Sequence, residues 1–69
     1  MWKKIDSHEI ISEIKVGSMV CTDPDDPQTY YQVVSIDSEH IELRHTDGYK
    51  VLKVLPEKYL IAGNWRVKE

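Results

Sequence analysis

The sequence has no phenylalanine, a single cysteine (Cys21), three glycines and three prolines in 69 residues. One thiol excludes an internal disulfide and any zinc site built from several cysteines. No apolar run approaches the ~18 residues that a membrane-spanning helix needs. Residues 1–10, MWKKIDSHEI, contain two lysines but no apolar core of a signal peptide, so a cytoplasmic protein is expected. Also missing are a glycine-rich phosphate loop, a nucleophile elbow and a paired-carboxylate motif. A chain this short rarely builds a deep cleft. The sequence therefore points away from an enzyme and gives no reason to expect a cofactor.

What is present is enough for one small core. Hydrophobic residues make up 41% of the chain, which argues against disorder and for a single domain over residues 1–69. The net charge of −3 argues against strong non-specific nucleic-acid binding. The charge is unevenly spread: residues 1–39 hold three Lys and eight Asp or Glu, and residues 40–69 hold six Lys or Arg and four Asp or Glu.

The most informative stretch is Tyr30 to Leu55, YYQVVSIDSEHIELRHTDGYKVLKVL. Asp47-Gly48 predicts a two-residue type I′ hairpin turn, pairing Thr46 with Tyr49, Arg44 with Val51, Leu43 with Leu52, Glu42 with Lys53 and Ile41 with Val54. A second two-residue turn at Ser38-Glu39 would pair Asp37 with His40, Ile36 with Ile41 and Val34 with Leu43. Together the two registers give an aliphatic inner face of Val34, Ile36, Ile41, Leu43, Leu52 and Val54.

Around this meander, residues 6–14 (DSHEIISEI) predict a short helix capped by Asp6 or Ser7, with Ile10, Ile11 and Ile14 on one face. Gly17 suits a left-handed turn after it. Residues 18–22 predict a first strand, DPDDPQT a loop, PEKYL a helical turn starting at Pro56, and residues 64–68 a closing strand with Trp65 and Val67 on one side. The expected fold is mainly β: a helix at 6–14 and a five-stranded barrel over 16–68.

This order of strand, long loop, meander, helical turn and last strand resembles the SH3-like barrels. Within them VGSMVCTDPDDPQTYYQVVSIDSEHIELRHTDGYKVL is similar to Tudor or KOW-type modules, over residues 16 to about 60. The resemblance implies a binding module. In Tudor-like domains aromatics near this end cage a methylated cation, a part that Tyr30, Tyr31 and Tyr49 would play here. KOW-type modules bind nucleic acid, and Arg44, Lys50, Lys53, Lys58, Arg66 and Lys68, with Tyr49, Tyr59 and Trp65, could form such a surface.

The paired registers place Tyr31, Thr46 and Tyr49 in one outer row and Val33, Arg44 and Val51 in the next. Tyr31, Val33, Arg44, Tyr49 and Val51 are thus the candidate binding residues, unless the amino-terminal helix covers them. A protein partner is the first expectation and nucleic acid the alternative; no membrane is implicated. Asp23, Asp25 and Asp26 share a loop without the spacing of a calcium site. His8, His40 and His45 are scattered and suggest no metal. Cys21 is read as a buried, inert thiol.

Overall fold

A computed structural model describes residues 1–68. Its strands are β1 (Trp2–Lys4), β2 (Met19–Cys21), β3 (Tyr31–Ile36), β4 (Ile41–His45), β5 (Val51–Val54) and β6 (Arg66–Lys68). They form one antiparallel sheet in the order β1-β6-β2-β3-β4-β5. The protein is mainly β, but with six strands where five are expected. The additional strand is β1, which pairs Trp2 with Lys68 and Lys4 with Arg66 on β6. Among the described residues no pairing joins β1 to β5, so the sheet has two edges and is not closed.

The β4–β5 register is the expected one: Arg44 faces Val51, Leu43 faces Leu52, Glu42 faces Lys53 and Ile41 faces Val54. The turn differs in type. His45 N–H donates to Lys50 O at 2.8 Å, and Gly48 N–H donates to His45 O at 2.8 Å, so four residues cross over. Gly48 has φ +85° and Asp47 does not share the left-handed conformation that a type I′ turn requires. Instead the Asp47 carboxylate accepts the Tyr49 backbone N–H at 2.8 Å.

The β3–β4 hairpin starts as expected, with Asp37 N–H donating to His40 O at 3.0 Å and Ile36 facing Ile41. Ser35 faces Glu42, but Val33, not Val34, then faces Leu43, because a β-bulge intervenes. Beyond it Gln32 faces Arg44 and Tyr31 faces His45. An extra residue in one strand reverses which side chains point inward and adds local twist. Val33 and Tyr31 therefore enter the core, 1% and 8% exposed, and Val34 is left half-buried. Placing Val34 inside and Tyr31 and Val33 outside is corrected by the bulge.

The helix α1 spans His8–Ser12, shorter than the expected 6–14, and Ser7 caps it by accepting the Ile10 N–H. Five residues cannot sustain a helix alone, so packing holds it. Ile10 and Ile11 lie against the core cluster, and Ile14, just past the helix, is buried in it. Ile5, Val20, Leu43 and Leu60 are fully enclosed there. Removing the Leu43 side chain to alanine would cost about 2–5 kcal/mol, a large share of a small domain's stability.

After β5, Pro56 opens a wide helical turn over Glu57–Ile61 that sends Leu60 inward. Trp65 N–H closes the turn on Leu60 O at 3.0 Å, and Trp65 is buried against Tyr31, with ring centres 5.4 Å apart. Gly63 is required here: a Cβ would lie 2.8 Å from the Trp65 ring and 2.7 Å from Tyr59 O.

Candidate functional site

The five candidate binding residues do not form one surface. Arg44, Tyr49 and Val51 are exposed on the β4–β5 hairpin, Tyr49 at 91%, whereas Tyr31 and Val33 lie in the core. Nor does α1 lie across the hairpin's outer side; its isoleucines pack on the inner cluster that contains Tyr31 and Val33.

The three tyrosines offered as a cage are likewise separated. Tyr31 is wedged between Trp65 and His45, the latter ring edge-on at 4.9 Å. Tyr30 packs on Trp2 with ring centres 5.1 Å apart and gives its hydroxyl proton to Pro24 O. Tyr49 stands out on its loop.

In the acidic loop two of the three carboxylates are occupied by the backbone. Asp23 accepts the Asp25 N–H at 3.0 Å, and Asp26 accepts the Gln28 N–H at 3.0 Å, capping the short turn Pro27–Thr29. Among the described residues no three His, Cys, Asp or Glu side chains converge to hold a metal. Cys21 is buried, and that burial raises its thiol pKa above the ordinary value, against the lowering effect of Arg66. His45 is not a surface residue: its side chain is 12% exposed and its Nε2 rests on Gln28 O.

The basic residues of the second half divide between distant strands. Arg44, Lys50 and Lys53 belong to the β4–β5 hairpin, while Arg66 and Lys68 lie on β6, with β2, β3 and β4 intervening before β5 in the sheet. Arg66 is directed to a structural task, donating to Thr22 O at 3.2 Å.

A shallow hollow of about 400 Å³ lies beside the hairpin loop, between Pro27, Gln28, His45, Thr46 and Asp47, but the more apolar concavity lies elsewhere. A groove of about 420 Å³ runs between α1, the β3–β4 turn and the start of the helical turn after β5. Ile11, Ile14, Ile36, Ile41, Leu55 and Pro56 supply its apolar lining. Ile36 and Leu55 are each 42% exposed, although the core beneath them is complete. The rim is polar. His8 Nδ1 and Glu57 Oε1 meet at 2.6 Å, linking α1 to the helical turn at one side. Asp37, Glu39 and Lys58 also line it.

Asp37 is fixed by the turn it makes. Its Oδ1 accepts the Glu39 N–H at 2.8 Å and the His40 N–H. These two backbone donors hold its carboxyl below the usual carboxylate pKa. The groove thus has one permanently acidic corner at neutral pH, with Glu39 beside it.

Comparison with protein-family models, curated proteins and solved structures gives no match to this chain. The groove's chemistry is therefore the basis for a functional reading. Sequence reasoning had one of its parts, the isoleucine face of 10, 11 and 14; the 42% exposure of Leu55 is seen only in the structure. It lacked the packing of α1 beside the β3–β4 turn, which no local pattern encodes.

Proposed function

We propose that this protein is a non-catalytic binding module for another protein, and that the groove beside α1 receives a segment of that partner. The observation that carries the reading is the open apolar lining: Ile36 and Leu55 remain 42% exposed at the mouth of a groove rimmed by charged side chains. An apolar patch with a polar rim is the usual form of an interaction site. Three rim carboxylates, Asp37, Glu39 and Glu57, stand against Lys58 and His8. The favoured segment therefore presents aliphatic or aromatic side chains flanked by lysine or arginine. The antiparallel sheet with a helical turn before its last strand supports kinship with the SH3-like barrels. A Tudor or KOW-type ancestry is the narrower form of the same proposal. No fold analogy supplies the ligand, so the site argument stands on the groove alone.

The test is a peptide-library selection on the full chain, followed by affinity measurement on four variants. The selected sequences should pair apolar residues with a basic flank. Ile36→Asp and Leu55→Asp should each weaken binding about tenfold or more, a loss of about 1.4 kcal/mol. Arg44→Ala and Tyr49→Ala should bind as the parent does. If affinity instead falls with Arg44 and Tyr49, or if only oligonucleotides bind and do so with a steep salt dependence, the groove reading is wrong.

A further inference from the structure

The groove leaves one feature of the hairpin unexplained: β5 is an edge strand, and among the described residues no strand pairs with its outer side. His45 N–H donates to Lys50 O where the β4–β5 loop closes, so His45 and Lys50 stand at a hydrogen-bonding position of the ladder. Bonded and non-bonded pairs alternate along an antiparallel ladder. Leu52 and Val54 therefore bond to β4, and the backbone N–H and C=O of Val51 and Lys53 point away from the sheet. Among the described residues nothing bonds to these four groups. Beside them Val51 is 46% exposed and Tyr49 is 91% exposed.

We propose that β5 pairs with β5 of a second copy of this chain, antiparallel about a two-fold axis at Leu52. The occupant follows from register. Only outward-pointing residues can face one another across such an edge, which leaves three symmetric choices. Centred on Lys53, the pairing sets Lys53 against Lys53 of the second copy, a like-charge contact. Centred on Val51, it sets Lys53 against Tyr49, whose N–H is already given to the Asp47 carboxylate.

Centred on Leu52, Val51 of each copy faces Lys53 of the other. All four outward groups of each strand are then bonded. Leu52, half-buried in the single chain, meets its own counterpart on the inner side. Lys53 lies beside Glu42, its neighbour on β4, rather than beside another cation. A lone edge lysine ordinarily discourages pairing; in this register it lies along a valine. The contact is isologous, so it closes at two chains and does not propagate.

Sedimentation equilibrium of the full chain, from micromolar to millimolar concentration, tests this with two substitutions at one exposed position. The parent should show a concentration-dependent shift from monomer to dimer mass. Val51→Lys places a cation opposite Lys53 of the other copy and should raise the dissociation constant at least about fivefold. Val51→Glu places an anion there and should lower it. Circular dichroism should be the same for all three proteins, since Val51 lies outside the core. A parent that is monomeric throughout the range overturns the proposal. So does a dimer that both variants weaken, or that neither changes.

Discussion

The two hairpins that share β4 are built alike and register differently. Each turn is held by an aspartate whose carboxylate accepts two backbone N–H groups: Asp37 from Glu39 and His40, Asp47 from Tyr49 and Lys50. Below the second turn the ladder runs unbroken from Arg44–Val51 to Ile41–Val54. Below the first it slips at Val34. The slip decides what the molecule can present. Without it, Tyr31 and Val33 would join Arg44 and Val51 on the outer face and form a mixed aromatic and basic patch. With it, they are core residues, and the exposed apolar surface moves to Ile36, Leu55 and the edge of β5.

The largest expected effect separates the two valines at the slip. Val33→Lys puts an unpaired charge in the core and should abolish cooperative thermal unfolding, a loss of more than about 4 kcal/mol. Val34→Lys can reach water from its half-buried position and should cost no more than about 1 kcal/mol. Equal effects in a denaturant titration would mean that the slip is misplaced.

Next come the two tyrosines that a straight ladder would set in one row. Tyr31→Ala removes a ring packed on Trp65 and His45 and should cost about 3–5 kcal/mol, as for other buried aromatics. Tyr49→Ala should change stability by less than about 0.5 kcal/mol. Chemical denaturation of the two variants gives the comparison directly.

The smallest effect concerns the turns, where the hairpins should behave alike. Both carboxyls are held below the usual value, first by backbone N–H donors: from Glu39 at Asp37, from Tyr49 at Asp47. A carboxyl whose pKa is lower folded than unfolded stabilises the protein above the unfolded value, near 4, and that stabilisation is lost as pH falls through the folded value. Asp37→Asn and Asp47→Asn should therefore each lower Tm modestly at pH 6, and the gap to the parent should close as the pH falls through the folded value. A gap that persists in acid would show that charge is not what these residues contribute.

The comparison also explains what could be read from the sequence. The β4–β5 register was legible because Asp47-Gly48 marks the turn and one face of the alternating residues is aliphatic. The β3 register was not, because Tyr30-Tyr31 and Val33-Val34 are doublets of one residue type. Either register buries one tyrosine and one valine; the residue that distinguishes them is Gln32, which a straight ladder turns inward and the bulge leaves exposed. The choice depends on the segment leading into β2, where Val33 exchanges bonds with Ser18 O and Gly17 N–H, both at 2.8 Å. β1 was missed for a related reason: three residues, Trp2–Lys4, have no alternation of their own and become a strand only beside β6, at the other end of the chain. The helix, its Ser7 cap and the left-handed Gly17 were legible from local chemistry. The groove was not, since it exists only once α1 and the β3–β4 turn lie side by side.

The position of Val33 decides between the two accounts of this surface, and cross-strand nuclear Overhauser effects measure it. Val33 bonds to Gly17 and Ser18, just before β2, and Leu43 to β5, so the two form a non-hydrogen-bonded pair across β3–β4, with Cα atoms about 4.5 Å apart in such pairs. A strong Hα–Hα contact between Val33 and Leu43, with none between Val34 and Leu43, is the result predicted here. A strong Val34–Leu43 contact would restore the straight ladder, return Tyr31 and Val33 to the outer face, and contradict this account.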